Sequence, residues 1–232
     1  MTKTALIVGA GSGISAAFAR LLHNHDYRLI LAARSVDDLA GLCAETNAKA
    51  IACDATSTGD VEALFAAVDR DFGDLDVVLY NASYRTRGPI AELDAEEVRK
   101  SLLVGAFGGF LVGQAAARRM LRRGSGAILF TGASASVKGY VQSAPFAMGK
   151  FALRGLAQSM ARELHPKGVH VAHFIIDGGV RDGARGRIEK AGEVPDSMLD
   201  PEAIAESYLA VVNQPRSAWS WEIELRPWVE KF

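Results

Sequence analysis

Short aliphatic segments alternate with longer amphipathic segments along the whole chain of 232 residues. Several of the short segments are apolar at nearly every position, which is typical of parallel strands that are covered by helices on both faces. The predicted strands are Thr4–Val8, Arg28–Ala32, Ala50–Cys53, Val77–Tyr80, Ala127–Thr131, His170–Ile176 and Trp219–Leu225. The predicted helices lie between them, at about 13–24, 36–46, 59–72, 94–122, 145–165 and 201–213. This alternation predicts a doubly wound α/β fold with about seven parallel strands.

The composition fits a globular protein and excludes several other classes. Hydrophobic residues make up 49% of the chain and charged residues 23%, which argues against long disordered segments. The 26 basic and 27 acidic residues nearly cancel, so we expect no basic surface that attracts nucleic acid or an anionic membrane. Cys43 and Cys53 are too few for a disulfide framework or a metal cluster, and no apolar run reaches the roughly 18 residues that span a bilayer. We therefore expect one cytoplasmic domain over residues 1–232, with no metal site.

A glycine-rich turn follows the first predicted strand. The segment reads Gly9-Ala10-Gly11-Ser12-Gly13-Ile14-Ser15, and the residues after it have a helical pattern. Because glycine lacks a Cβ, such a turn can bring backbone N–H groups and the positive end of the helix dipole close to a ligand. This arrangement binds phosphate groups at the opening of a strand–helix unit. A purely structural turn is the alternative interpretation.

Four motifs, in order along almost the whole chain, resemble those of the short-chain dehydrogenase/reductase family. The spacing Gly9-x-x-x-Gly13-x-Ser15 resembles its G-x-x-x-G-x-G turn, and Asn81-Ala82-Ser83 resembles its Asn-Ala-Gly. Asp54 matches the family's adenine-contacting acid, and Phe146-Ala-Met-Gly-Lys150 stands where the family has Tyr-x-x-x-Lys. The resemblance implies a single-domain Rossmann-type fold, an oxidoreductase activity and a helix-packed homodimer or homotetramer. It implies that a nicotinamide dinucleotide contacts Gly9, Gly11, Ser12, Gly13, Ile14, Asp54, Ala55, Asn81, Ala82, Lys150, Gly178 and Val180.

The end of the second predicted strand indicates which dinucleotide binds. An acidic residue here would accept hydrogen bonds from the ribose hydroxyls of NAD, but the chain reads Ala32-Ala33-Arg34-Ser35. Arg34 can pair with a 2′-phosphate through its planar set of donors, and Ser35 adds a hydroxyl. We therefore expect NADP(H) to be favoured over NAD(H). A solvated surface arginine is the alternative.

Only one of the four catalytic positions implied by the resemblance carries the expected side chain. In the family a Tyr transfers the proton, a Lys lowers the pKa of that Tyr and holds the ribose, a Ser binds the substrate oxygen, and an Asn completes a proton relay. Lys150 is present, but Phe146 stands at the Tyr position. Ala133 stands at the Ser position and Leu102 at the Asn position.

Two interpretations of these apolar positions stay open. In the first, they form an apolar pocket floor and Tyr-dependent catalysis is impaired, because a positioned proton donor contributes about 10²–10⁴-fold to rate. In the second, another polar group has taken over the proton transfer. The candidate substitutes are Ser134, which is one residue from the Ser position, and the loop residues Tyr84, Tyr140 and Ser143.

Three further features allow more than one interpretation. The two longest predicted helices are rich in Ala and Gly, which suits either an oligomer interface or close packing on the protein's own sheet. After the sixth strand, Asp177 and Asp182 replace the family's Pro and Thr. The loop that follows carries Arg181, Arg185, Arg187 and Lys190, which suits either an acidic substrate or a solvated surface. In the last predicted strand, Trp219, Trp221, Ile223 and Leu225 alternate and are expected to share one apolar face.

These observations favour an NADP(H)-binding oxidoreductase that transfers a hydride to or from a carbonyl or alcohol with altered proton delivery. The alternative is a non-catalytic protein that binds NADP(H) as a sensor, regulator or oligomer partner. The sequence alone identifies no substrate.

Overall fold

The computed structural model describes residues 2–190 and 192–231. Within these residues the strands are β1 (Thr4–Val8), β2 (Arg28–Ala33), β3 (Lys49–Ala52), β4 (Val77–Tyr80), β5 (Ala127–Thr131), β6 (His170–Ile176) and β7 (Glu222–Leu225). The helices are α1 (Ile14–Asn24), α2 (Ala40–Thr46), α3 (Thr58–Asp71), α4 (Ala95–Leu102), α5 (Gly108–Arg123), α6 (Ala144–Leu164) and α7 (Pro201–Val212). The predicted elements are all present, and most of their ends agree within three residues.

The seven strands form one parallel sheet in the order β3-β2-β1-β4-β5-β6-β7. The chain builds the sheet outwards from β1 to β3, then returns to place β4 on the other side of β1. Val8 pairs with Tyr80 at the end of both strands, and the N–H of Asn81 donates to the carbonyl of Val8 at 2.8 Å. The connections after β1 and β4 leave this point in opposite directions, so a cleft opens at the carboxyl edge of the sheet.

Helices cover both faces of the sheet and create two apolar layers. One layer contains Tyr80 and Phe130 and packs against α3, α5 and α6. The other contains Phe18, Phe174 and Tyr208 and packs against α1 and α7. Burial on both faces explains why the strands read as continuous apolar runs, and the predicted doubly wound fold is confirmed.

The predicted helix at 94–122 forms one rod, which contains a short segment of different helical type. A π-helical turn at Leu103–Phe107 joins α4 to α5, and the hydroxyl of Tyr80 donates to the carbonyl of Val104 at 2.6 Å. Gly105 lies against the backbone of Gly149 in α6. A Cβ at Gly108 would collide with the Tyr80 hydroxyl. These glycines therefore serve close packing inside the chain, which was one of the two interpretations of the small residues.

The rod from Ala95 to Arg123 contains an 18-residue window with a mean hydropathy of 1.3. By length and composition alone it could cross a membrane, although the sequence was expected to contain no such run. Half of that window is buried inside the protein, because α5 packs on the sheet. The apolar character is thus accounted for in part by the core.

The C-terminal strand is shorter than predicted. It begins only at Glu222, and Trp219 instead stacks on His170 with ring centroids 4.5 Å apart. Trp221 packs with the layer beneath α3, α5 and α6, whereas Ile223 and Leu225 belong to the opposite layer. The expectation of one shared face was wrong, because Trp219 and Trp221 precede the paired strand, whose register sets the facing of Ile223 and Leu225.

Candidate functional site

The glycine-rich turn between β1 and α1 is fixed by hydrogen bonds to its neighbours. The N–H groups of Gly9 and Ala10 both donate to the carbonyl of Ala32, at 2.9 and 3.0 Å. Gly9 has a φ of +81°, and a Cβ there would collide with the backbone of Asn81 and Ala82. Only glycine meets both requirements without strain.

Ser15, which replaces the last glycine of the family motif, ties this turn to β4. Its hydroxyl donates to the carbonyl of Gly9 at 3.1 Å and accepts a hydrogen bond from the side-chain amide of Asn81 at 2.7 Å. The Asn81 side chain therefore reaches under the turn and holds it in place. The departure from the family glycine adds an anchor that a glycine cannot provide.

The N-terminus of α1 borders a cavity that is also lined by Asp182. The first-turn N–H groups of a helix have no intrahelical partner, and here neither a side-chain cap nor an acidic residue of the first turn occupies them. A Cβ built on Gly11 would meet nothing nearer than the Arg185 guanidinium at 3.9 Å. The turn is thus a cradle of backbone donors at the positive end of a helix, which fits a phosphate group.

A cavity of about 910 Å³ extends from this turn along the carboxyl edge of the sheet. It brings together most of the predicted cofactor contacts, namely Gly9, Gly11, Ser12, Arg34, Ser35, Asp54, Ala55, Asn81 and Ala82. Gly13 lines an adjoining cavity of about 490 Å³, and Ile14 opens helix α1. The larger cavity is also lined by Asp38, Leu39, Thr56 and Val104, which no motif in the sequence marks, and by Arg185 of the basic loop.

The rim of this cavity carries a free cation and a fixed carboxylate. Arg34 is exposed and forms no ion pair with any residue in the described ranges. The carboxylate of Asp54 is held by the N–H and the hydroxyl of Thr56, at 2.9 and 2.8 Å. A cavity of this size, lined in part by backbone N–H groups that can bind phosphate, fits a nicotinamide dinucleotide.

Lys150, the predicted catalytic and cofactor-binding lysine, lines neither of the two cavities beside the glycine-rich turn. Its side chain is buried, and Nζ donates to the carbonyl of Thr131 at 2.7 Å. Burial, assisted by the charge of Arg85, lowers the pKa of Lys150 to about 8. This lysine can therefore exchange a proton near neutral pH.

Two of the three residues predicted to form an apolar pocket floor lie together, but neither lines the cavity of about 910 Å³. Phe146 packs with Ala133, Ala135 and Ala147 in a small cluster of its own. Leu102 does not join it but lines a separate apolar cleft on the outer face of the helices. The expectation for Leu102 was wrong, because the long helix turns that residue outward and presents Val104 to the cofactor cavity instead.

The four residues suggested as substitutes for proton transfer lie in different environments. The hydroxyl of Tyr84 donates to Glu97, although Tyr84 does line the cavity. Ser143 is buried at the start of α6, and Ser134 opens a short 3₁₀ turn directly after Ala133. Tyr140 remains exposed. Of these residues, Ser134 stays nearest to the family Ser position in the chain.

Arg85 contacts the ring of Phe146 and was not among the site residues predicted from the sequence. Its guanidinium carbon lies 4.1 Å from the centroid of the Phe146 ring, and Nζ of Lys150 lies 5.7 Å from the same centroid. The ring that stands at the Tyr position is thus contacted by two cationic side chains. No motif signals this contact, since Arg85 lies in the loop between β4 and α4.

The segment after β6 closes over the phosphate cradle. The carboxylate of Asp182 accepts a hydrogen bond from the hydroxyl of Ser12 at 2.8 Å and lies near Arg185, with 3.6 Å between the charged atoms. Gly178 packs against Pro227, and Val180 forms a bridge with Leu199. Gly178 and Val180 therefore lie on the covering segment and do not line either cavity.

Acidic neighbours neutralise part of the basic loop. Arg181 forms ion pairs with Glu189, Asp196 and Asp200. Arg185 pairs with Asp182. Two of the four basic side chains of this loop are therefore paired within the segment, and neither of the two interpretations of the loop is excluded.

A buried polar network supports the strand ends behind the site. His173 lies between Ser136 and Glu222, with its ring nitrogens 3.3 Å from the hydroxyl and 3.1 Å from the carboxylate. Two hydrogen bonds from Arg154 to Glu222 extend the network to α6, the helix that carries Lys150. Burial lowers the pKa of His173 to about 4, so its ring is neutral at pH 7.

Comparison with known proteins identifies the family. The sequence profile described as short chain dehydrogenase matches residues 3–187. The chain belongs to the short-chain dehydrogenase family. An uncharacterized oxidoreductase of Staphylococcus aureus (strain N315) is 31% identical over 229 residues, which cover 97% of each chain.

Solved members of the family share the fold over the whole length. A short-chain dehydrogenase from Rhodopseudomonas palustris is 35% identical with a TM-score of 0.83, and the match covers 97% of this chain and 99% of that one. An alcohol dehydrogenase from the archaeon Thermococcus sibiricus, complexed with 5-hydroxy-NADP, is 28% identical with a TM-score of 0.86 and coverage of 100% and 99%. The predicted family and Rossmann-type fold are thereby confirmed.

Proposed function

We propose that this protein is an NADP(H)-dependent oxidoreductase that interconverts a carbonyl compound and the corresponding alcohol. The observation that carries the proposal is the open cradle of backbone donors at Gly11 and the N-terminus of α1, which continues into the cavity of about 910 Å³. Membership of the oxidoreductase family supports it. So does the 5-hydroxy-NADP complex of the similar alcohol dehydrogenase.

The preference for the phosphorylated cofactor follows from the cavity rim. Arg34 has no acidic partner within the described residues, so its guanidinium is available to a 2′-phosphate. Ser35 lines the same part of the cavity and offers a hydroxyl. NAD would find no carboxylate at the end of β2, where Arg34 and Ser35 follow Ala33.

Lys150 is the group of the site that can hold and release a proton. Its ammonium has three N–H donors, of which one is used by the carbonyl of Thr131. The remaining donors can bind a ribose hydroxyl or the substrate oxygen. When bound, the reduced nicotinamide supplies the hydride. With a pKa of about 8, Lys150 Nζ can supply the proton that a tyrosine supplies in other family members.

A calorimetric titration with NADPH and, separately, NADH tests the proposal. We expect NADPH to bind at least about tenfold more tightly than NADH, since charge-assisted hydrogen bonds each contribute roughly 1.5–3 kcal/mol. Arg34→Met should remove that difference, whereas Arg162→Met, an exposed arginine of α6, should retain it. Equal affinity for the two cofactors would refute the NADP preference, and binding of neither would refute the oxidoreductase itself.

The pH dependence of turnover tests the role of Lys150. The rate of carbonyl reduction should fall as the pH rises through about 8, because only the protonated lysine can donate. Lys150→Met should abolish the remaining rate, and Lys167→Met, which changes an exposed lysine near the end of the same helix, should not. NADPH binding without any turnover would instead favour a cofactor-binding regulator.

A further inference from the structure

Two cations, Arg85 and Lys150, contact the ring of Phe146, and Arg85 is accessible to solvent. Arg85 is exposed to solvent while its guanidinium lies over the ring of Phe146. The loop that carries it is anchored on both sides. The N–H of Gly88 donates to the carbonyl of Gln142 at 3.1 Å, and the Ser101 hydroxyl donates to the carbonyl of Tyr84 at 3.3 Å. The position of Arg85 is therefore built into the fold.

The charges of two more guanidinium groups act on Arg85. Arg87 belongs to the same loop, and Arg187 is brought in by a short hairpin in which Asp182 and Arg187 exchange backbone hydrogen bonds at 2.8 and 3.0 Å. Partial burial of its guanidinium is the largest cause that lowers the pKa of Arg85, and the charges of Arg87 and Arg187 lower it further. Like charges repel one another, so an anion placed among them would be stabilised.

These three arginines differ from the other cations of the covering segment. Arg181 and Arg185 are paired with carboxylates. Over residues 2–190 and 192–231, the ion pairs include none for Arg85, Arg87 or Arg187. Arg85 also lies outside the lining of the cofactor cavity, whose basic residues are Arg34 and Arg185. The unpaired charge is therefore located beside Phe146 rather than beside the phosphate cradle.

We propose that Arg85, assisted by Arg87 and Arg187, binds an oxyanion of the substrate, so that the protein acts on carbonyl or alcohol compounds that carry a carboxylate or phosphate near the reacting carbon. A guanidinium offers a planar pair of donors that matches such oxygens. The cluster of Phe146, Ala133 and Ala147 provides an apolar surface for the organic part of the same molecule. This assignment rests on the proposed oxidoreductase function.

Binding of a matched pair of probes tests the assignment. Phenylglyoxylate and its methyl ester differ in the negative charge but share the ketone and the ring. Calorimetric titration of each into the protein, with and without saturating NADP⁺, should show the acid binding about tenfold or more tightly than the ester. Arg85→Met should remove this preference, Arg85→Lys should retain part of it, and Arg162→Met should leave it unchanged.

The same variants separate this proposal from the cofactor proposal. Arg85→Met should bind NADPH with wild-type affinity, which also shows that the variant is folded. If the wild-type protein binds phenylglyoxylate through Arg85 but does not bind NADPH, the anion site stands and the oxidoreductase does not. Equal affinity for acid and ester overturns the assignment, as does a preference that survives in Arg85→Met. Loss of NADPH affinity in Arg85→Met would place this arginine in the cofactor site and overturns it as well.

Discussion

Phe146 places an aromatic ring without a hydroxyl beside the charged groups of Lys150 and Arg85. A hydroxyl introduced by Phe146→Tyr would have a lowered pKa, because both cations favour the phenolate. Ala133 packs against the same ring, so Ala133→Ser would add a second polar group to the apolar floor. We expect the double variant to oxidise NADPH with a panel of carbonyl compounds at least about 10²-fold faster than the parent.

The control for this change is Phe151→Tyr, which adds a hydroxyl to an exposed phenylalanine of the same helix. Its rate should equal that of the parent. A double variant that is no faster than the parent would mean that proton transfer does not limit the reaction, and that the missing tyrosine was never needed.

The carboxylate of Asp182 competes with a bound phosphate for a hydrogen-bond donor of the phosphate cradle, the hydroxyl of Ser12. This carboxylate accepts a hydrogen bond from that hydroxyl at 2.8 Å. It also lies 3.5 Å from the position that a Cβ on Gly13 would take, beside the N-terminus of α1. A negative charge at this point opposes an incoming pyrophosphate. Asp182→Asn should therefore raise the affinity for NADPH by about tenfold, or about 1.4 kcal/mol, measured by calorimetry.

Asp196→Asn is the matched control, since it removes the same charge from an exposed part of the covering segment. We expect its NADPH affinity to stay within about twofold of the parent, because exposed ion pairs contribute little. Weaker binding by Asp182→Asn would contradict the prediction and would show that Asp182 positions the segment instead of competing with the ligand.

The residue types of the cradle were predictable, whereas the contacts of Arg85 were not. Gly9, Gly13 and Lys150 lie at fixed spacings from strands and helices, so a motif locates them. Arg85 lies four residues beyond Asn81 in an irregular loop, and its contact with Phe146 depends on how that loop crosses α6. Asp182 reaches Ser12 across 170 positions of sequence. Local patterns carry no information about such distant pairs.

Hydrogen bonds of His173 and Glu222 connect strands β6 and β7 with helix α6. The folded protein holds His173 with a pKa of about 4, against 6.5 for an unperturbed histidine. Between these values the unfolded chain binds more protons than the folded one, so the free energy of unfolding decreases as the pH falls. The loss between pH 6.5 and 4 should reach roughly 3 kcal/mol for this one group.

Denaturant unfolding at several pH values measures this effect. His173→Gln removes the titrating ring while keeping a polar side chain, so the slope of stability against pH should become shallower in that variant. His25→Gln, which changes an exposed histidine, should leave the slope as it is. An unchanged slope in His173→Gln would show that carboxylates, not this histidine, govern the acid sensitivity.

The elements themselves were predicted well because their periodicity is set by burial on two faces of one sheet. The departures occur where tertiary contacts override periodicity. The π-helical turn at Leu103–Phe107 leaves the apolar pattern of the helix unbroken, and the Val104 carbonyl is satisfied by the Tyr80 hydroxyl from a strand. Trp219 leaves the predicted strand because His170 offers a stacking partner.

The outer surface of α5, α6 and the π-helical turn before α5 includes large apolar side chains that are exposed to solvent in the single chain. We define this helical face by Phe107, Phe110 and Met148, whose exposed fractions are 41%, 40% and 49%. Phe107 and Phe110 stack on each other and line a cleft of about 460 Å³ together with Ala152 and Leu156 of α6. Large exposed apolar patches mark interaction sites. We propose that a second copy of the chain covers the helical face, consistent with the homodimer or homotetramer that the resemblance implies.

Light scattering coupled to gel filtration tests this assembly. At micromolar concentration we expect a mass of at least twice the 24.7 kDa of one chain. Phe110→Glu combined with Met148→Glu should release monomers, because burying two carboxylates in an apolar interface is costly. Ile90→Glu, which replaces an apolar residue of the loop between β4 and α4 with an exposed fraction of 77%, should leave the mass unchanged. Monomeric wild-type protein would contradict the proposal, and retained NADPH binding in the monomeric variant would show that each chain holds a complete cofactor site.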